Sequence, residues 1–393
     1  MNEFNQDHQT ASAEDGLRAE LGRVSRELAG TYEELSLIHR LSAHVEYHHA
    51  AEPLLDEAVN DLREVARLRV MALCLADDRP RLTSLRGKVY FPPDAVGDMR
   101  LIRSVGQWFI TRISGERHAI HLGQNGLPVP DELTGFGRDL VAVAIRHREE
   151  VVGVLFGADR FDGQAIDAVD IDRVETLASS LSIFLHNAIL FAEMQSMFLG
   201  TLRALSASID AKDSYTHGHS HRVALLTRLL AEKIDLDDHR IERLYLSALV
   251  HDLGKIGVPE AVLTKDGPLT DEEYDAIKLH PQIGARILAD IEAMTDLMPG
   301  VLSHHERWSG GGYPQGLSGN AIPFSGRVIA LADSFDAMRS RRSYRRAMNH
   351  QEALDQIRQG KGMQFDPELA EAFCELDFST YNQQTDPPAA RAA

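Results

Sequence analysis

The sequence predicts a multidomain α+β chain: an N-terminal domain of mixed helix and sheet, a connecting long helix, and a C-terminal all-α domain. Three observations carry this expectation. Leu140 to Ile145 and Val151 to Phe156 are apolar runs on either side of the charged turn His147, Arg148, Glu149, Glu150, the pattern of a β-hairpin, and Arg69 to Leu75 reads as a further buried strand. Val174, Leu177, Leu181, Leu185 and Ala188 then form one helical stripe that continues through Met194 towards Leu202 and Leu205. From Phe198 onward, helical patterns alternate with Gly and Pro, and His, Asp and Gly concentrate at the joints. A length of 393 residues accommodates two domains of ordinary size.

Ahead of the first domain the chain is polar, and residues 1–40 are expected to comprise a disordered start and a short coiled coil. Leu17, Leu21, Val24 and Leu28 recur at spacings of four and three, and Leu35 and Ile38 continue the register. An amphipathic helix packed on the next domain fits the same pattern. Residues 41–193, with helix, antiparallel sheet and a closing long helix, resemble a GAF sensor domain of α/β/α layering, a resemblance centred on Leu140 to Gly157. It implies a small-molecule pocket beside the sheet and a homodimer formed through the GAF-like and linker helices, although no ligand signature is present. His44, His48 and His49 are read as solvated residues rather than as a metal site. The helical linker spans about 171–208, the C-terminal domain 194–376, and residues 377–393 are expected to form a disordered tail.

Composition restricts the partners. A formal net charge of -18 repels nucleic-acid polymers and anionic membranes, so any phosphate ligand must meet a locally positive site. Cys74 and Cys374 are too few for a disulfide framework and suit a reducing compartment. The first residues lack the basic and apolar stretches of a secretory signal. Leu177 to Phe191, interrupted by Ser179, Ser180, Ser182, His186 and Asn187, reads as too short and polar to span a bilayer, so a cytoplasmic protein is expected.

The chemistry lies in the C-terminal half. Ser214 to Arg222, with His217, His219 and His221, opens a helix whose Val223, Leu226, Leu230 and Ile234 face a core. Ile241, Leu244 and Ala248 lead to Asp252 at the end of a buried stripe, beside His251, before Gly254, Lys255, Gly257 and Pro259 stop the helix. A buried Asp is costly unless paired or bound to a cation, and a vicinal His-Asp pair offers nitrogen and oxygen donors from one turn. The next helix opens on a Thr270 to Glu273 capping box and reaches His280 just before Pro281. His304 and His305 precede Glu306 and the Gly310-Gly311-Gly312-Tyr313-Pro314 loop, and Ile329, Asp333 and Asp336 share one face of a later helix.

This ordered set strongly resembles the HD-GYP family of the HD hydrolase superfamily, from about Ala204 to Phe373. The resemblance rests on His251-Asp252-Leu253-Gly254-Lys255, His304-His305-Glu306, Gly312-Tyr313-Pro314 with Gly316-Leu317 and Ile322-Pro323, Ala332-Asp333 with Asp336-Ala337, and Gln364-Phe365-Asp366-Pro367. It implies a cyclic di-GMP phosphodiesterase with two divalent metal ions, iron or manganese. His219, His251, Asp252 and Asp333 would hold one ion, and Asp252, as a bridge, would join His280, His304 and His305 on the second. Trimetal members carry Glu four residues before the first histidine, where Tyr215 stands here, so two metals are expected.

Two such cations neutralise the charge that grows on a phosphodiester during in-line attack by water, so no protein nucleophile is needed. The resemblance implies Asp252 and Lys255 as the catalytic residues, with Lys255, Tyr313, Arg342 and Arg345 as substrate contacts. Arg339 to Arg346 could equally be a solvated basic run, and Lys255 a charge at a helix C-terminus. The resemblance also implies contacts between the Gly-Tyr-Pro loop and diguanylate cyclases. Ser309, Arg341 and Ser343 depart from the common residues and put loop geometry and turnover in doubt. A silent cyclic di-GMP receptor is the rival reading, disfavoured by the intact ligand set. A nucleotidase of the broader superfamily is disfavoured by the Gly-Tyr-Pro loop.

Overall fold

The computed structural model describes residues 51–385 except 80–81, 83–84, 93–98, 114, 117, 213–217, 266 and 341–345. The expected coiled coil, His44, His48 and His49, Tyr215, and Arg342 and Arg345 therefore lie outside the described residues. The chain divides into two compact units that meet between Gln195 and Ser196.

The first unit is built as α1 (Ala51–Ala66), β1 (Leu68–Leu75), β2 (Val89–Tyr90), α2 (Met99–Ile113), β3 (Ile120–Leu122), β4 (Leu140–His147) and β5 (Glu150–Arg160), followed by the first part of α3 (Ala168–Lys212). The five strands pair antiparallel in the order β2-β1-β5-β4-β3. The expected hairpin is β4 and β5: His147 pairs with Glu150, leaving Arg148 and Glu149 as the two-residue turn, with Arg148 at φ 56°. Because side chains alternate across a strand, β1 serves two cores at once. Met71, Leu73 and Leu75 pack with α1 and the α3 stripe Val174, Leu177, Leu181 and Leu185, while Val70, Ala72 and Cys74 pack with Ile102, Val105 and Phe109 of α2. The result is a helix–sheet–helix sandwich.

The apolar stretch expected to end at Phe191 belongs to a 45-residue helix, the only one among the described residues with the length and composition to cross a membrane; a third of its most apolar window is buried. Its serines interrupt less than the sequence suggested because they bond back into the helix: Ser179 Oγ donates to Glu175 O and Ser182 Oγ to Ala178 O.

The second unit takes up the last turns of α3 and continues as α4 (His219–Lys233), α5 (Asp238–Leu249), a 3-10 turn (Leu253–Gly257), α6 (Glu260–Leu263), α7 (Asp271–Lys278), α8 (His280–Ala289), α9 (Met298–Ser303), α10 (Phe324–Arg339), α11 (His350–Gln359), α12 (Pro367–Cys374) and α13 (Ser379–Thr385). The Thr270 and Glu273 capping box is present at α7. His280 does not end that helix, as the sequence suggested, but opens α8 with Pro281 in its first turn.

The tail expected to be disordered from residue 377 is instead helical over Ser379–Thr385, and Phe378 and fully buried Tyr381 join the core of α4, α5, α10, α11 and α12. The two aromatics, three apart, are the one signal in the sequence that could have assigned this otherwise polar segment to the domain. The last turns of α3 are anchored to the same unit. Ser206 Oγ donates to Leu249 O, Asp210 accepts from Ser220 N and Oγ, and Lys212 Nζ donates to Ile256 O and Val258 O.

A fragment spanning 196–385 should therefore fold cooperatively by itself. A fragment ending at 376 should be destabilised by about 3–5 kcal/mol for each of the two aromatics removed. Urea unfolding of the two fragments, followed by circular dichroism, measures the difference.

Candidate metal centre

Four joints of the second unit deliver the site. His219 is the first residue of α4, after Gly218 at φ 70°. His251 and Asp252 follow the end of α5, His280 follows α7 by way of Leu279, and His304 and His305 follow α9. Asp333 projects from α10. The turn after α5 and the start of α8 can approach because residue 254 is glycine: a Cβ there would lie 1.8 Å from His280 O and 2.5 Å from Gly284 N.

All seven expected ligands converge. His219, His251 and Asp252 place ligand atoms within 4.8 Å of one another, and His280, His304 and His305 do the same. Asp333 Oδ1 lies 3.2 Å from His219 Nε2 and 4.0 Å from His251 Nε2. Asp252 stands between the groups, with Oδ2 at 3.3 Å from His251 Nε2 and Oδ1 at 3.3 Å from His280 Nε2. Lys255 Nζ lies 2.8 Å from Asp252 Oδ2, so the lysine expected to meet a phosphate here offsets the central carboxylate.

Three histidines are held alike. The Nδ1 atoms of His251, His280 and His304 each lie 2.7 Å from a backbone carbonyl three residues earlier, Ala248, Ile277 and Val301. A carbonyl only accepts, so each Nδ1 carries the proton and each Nε2 lone pair faces the site. His251 Nε2 is buried without a hydrogen bond, and His280 Nε2 and His304 Nε2 face each other at 3.3 Å. Buried imidazole lone pairs gathered around carboxylates, with Nδ1–H fixed by the backbone, are the donor set a divalent cation requires.

Electrostatically the two groups differ. Burial alone would depress the His219 imidazole, but the carboxylates of Asp333 and Asp336 outweigh it and push its pKa up to about 10. Burial works against the charge of Asp252, yet Lys255 and His251 hold its carboxyl well below the ordinary range. Burial together with His305 and His251 holds His304 far below the usual histidine range, and burial drives His305 down to about 3. Burial lowers His280 as well, so the His280, His304, His305 group is neutral at pH 7, whereas His219 carries a second ring proton and a positive charge.

Asp336 was visible in the sequence as a second acid on the apolar face of α10, but its task was not. It is fully buried, accepts from His219 Nδ1 at 2.7 Å, and is met by Arg222 Nε at 2.7 Å and by the second guanidinium nitrogen at 2.9 Å. Glu306 was likewise only part of a motif. It is buried and accepts the backbone N–H groups of Gln315, Gly316 and Leu317, shaping the loop that carries Tyr313. That loop is fastened to the site: Tyr313 N donates to His305 O, and the Tyr313 ring lies 4.7 Å from the His305 ring, centroid to centroid.

Residues 203–369 match the HD domain family. The HD domain is a family of metal-dependent hydrolases. The chain is 40% identical over 190 residues to a cyclic di-GMP phosphodiesterase of Thermotoga maritima, an alignment covering 48% of this chain and 51% of that protein. It is 42% identical over 189 residues to a cyclic di-GMP phosphodiesterase of Vibrio cholerae, covering 44% of this chain and 38% of that protein. A 3'3'-cGAMP-specific phosphodiesterase of Vibrio cholerae is 38% identical over 167 residues, covering 42% of this chain and 36% of that protein. The chain thus matches about half, or less, of the length of these relatives.

Two outcomes follow from this geometry. A divalent cation bound on the His219 side at pH 7 should release about one proton, because an imidazole with its pKa near 10 must become neutral to donate its lone pair. Calorimetric titration in buffers of different ionisation heat measures this release, which should vanish as pH rises through about 10. A Cβ at Gly312 would lie 2.5 Å from Glu306 Cα and Arg307 N, so Gly312→Ala should cost about 1–3 kcal/mol in thermal unfolding.

Proposed function

We propose that this chain is a metal-dependent phosphodiesterase of the HD-GYP type that opens cyclic di-GMP to linear pGpG, with GMP as a possible further product, under the control of a GAF-like N-terminal domain. The observation that carries the reading is the position of Asp252, whose two oxygens face separate groups of imidazoles. A carboxylate so placed suits a bridge between two divalent cations, for which iron or manganese accords with a mixed nitrogen and oxygen set without thiolate.

When bound, such ions supply the positive charge and the activated water that in-line displacement at phosphorus requires. The chain's own part is to hold and to orient. His219, His251, Asp252 and Asp333 would form one ligand set, and Asp252, His280, His304 and His305 the other. Lys255, now on Asp252, would turn towards a phosphate oxygen once the carboxylate's charge is met by cations, and Tyr313 would bound the substrate on the His305 side. Arg342 and Arg345 would bind the second phosphate. Relatives named for cyclic di-GMP and for 3'3'-cGAMP share comparable identity with this chain, so both compounds belong in the assay. Exposed Ile183, Leu190 and Met197, seven residues apart on α3, support a homodimer through the long helix.

The decisive experiment compares two variants of anaerobically purified, metal-quantified protein. Asp252→Asn keeps the size but removes the charge that offsets both ions, and should lower metal content and abolish hydrolysis of cyclic di-GMP. Lys255→Ala should keep the metals and raise KM by about tenfold or more. Asp252→Asn protein with full metal content and parental turnover would overturn the proposed site.

A further inference from the structure

The HD domain match ends at residue 369, yet the hydrogen-bond network behind His219 does not. We infer that Tyr381, on α13, is a positioning residue for the metal centre, acting through Asp336 on His219. The inference rests on the metal-site reading above.

An ionised carboxylate only accepts hydrogen bonds and has about four lone-pair sites. Asp336 fills them. Oδ2 receives His219 Nδ1 at 2.7 Å, an Arg222 nitrogen at 2.9 Å and, at a longer 3.4 Å, the Ser340 hydroxyl, and Oδ1 receives Arg222 Nε at 2.7 Å and the Tyr381 hydroxyl at 2.8 Å. Three segments distant in sequence thus determine one buried carboxylate: the start of α4, the end of α10 and α13. Arg222 supplies the balancing charge across both oxygens, and Tyr381 supplies the short neutral hydrogen bond that, with it, fixes the position of Oδ1.

Tyr381 is itself immobilised. It is fully buried, with its ring 5.6 Å from that of Phe335 and 6.4 Å from that of Phe378. Phe335 lies next to Asp336 in the chain and packs also on Phe373 and Phe378. The aromatic cluster therefore sets the hydroxyl, the hydroxyl sets the carboxylate, and the carboxylate sets the azimuth of the His219 ring and the direction of its Nε2. A metal-ligating imidazole oriented by a carboxylate typically loses about 10–100-fold in metal affinity when that support is disturbed.

The test uses the full chain and the variant Tyr381→Phe, which keeps the buried ring and removes only the hydroxyl. Mn²⁺ titration with chelator competition should show one of two sites weakened about tenfold, with the other unchanged. In the metal-free protein labelled with ¹⁵N-histidine, the His219 ring resonances should shift while those of His280 and His304 stay in place. Unchanged His219 resonances, or equal weakening of both ion sites, would overturn the inference. Failure of the metal-site reading is distinct: the parent protein would then bind fewer than two ions, and the His219 resonances would still decide the role of Tyr381.

Discussion

The carboxylate of Asp252 is the constraint to which the helical unit answers. A buried anion without partners costs several kcal/mol, so the fold must bring cations or polarised donors to it from several directions. Lys255 comes from the same turn, His251 from the preceding residue and His280 from the start of α8. The approach of α8 in turn demands glycine at 254 and brings Gly284 against the same backbone. Charge compensation and helix packing are thus the same problem here, solved by the same residues.

Helix ends do much of the rest. The last carbonyls of a helix have no partner within it and must be satisfied from elsewhere. Ala248, Ile277 and Val301 lie at or near the ends of α5, α7 and α9, and each receives the Nδ1 proton of a histidine just beyond. One bond therefore closes a helix and fixes a tautomer. This explains why the histidines sit at the joints, where their ring direction is set by backbone rather than by a neighbouring side chain. His219, at the beginning of a helix, is met at Nδ1 by Asp336.

Much of this was legible in the sequence, and the reason is local. The β4 and β5 hairpin was marked by two apolar runs around a charged turn, and the α3 stripe by its period. The expected ligands were marked by their residue types at helix boundaries, and all seven side chains do come together. What escaped was nonlocal or short. Strands β2 and β3, of two and three residues, are too brief to show a period, and they exist because β1 and β4 offer free edges. Asp336 resembled Asp333 in every respect that spacing can reveal. Its distinction comes from Arg222, more than a hundred positions away in the chain. Tyr381 was hidden because polar residues surround it.

The terminal turns of α3 bear on how the site can fail. Ser206 and Asp210, one turn apart, and Lys212 just beyond hold Leu249, Ser220, Ile256 and Val258, which neighbour His251, His219 and Lys255 in the chain. Three pieces of the centre are therefore referenced to one rod as well as to one another. Fraying of that rod would release them together, so damage there would be felt as a collective loss and not as the sum of separate ones. In the language of hydrogen exchange, the end of α3 and the turns that carry His219, His251 and Lys255 should open as one unit.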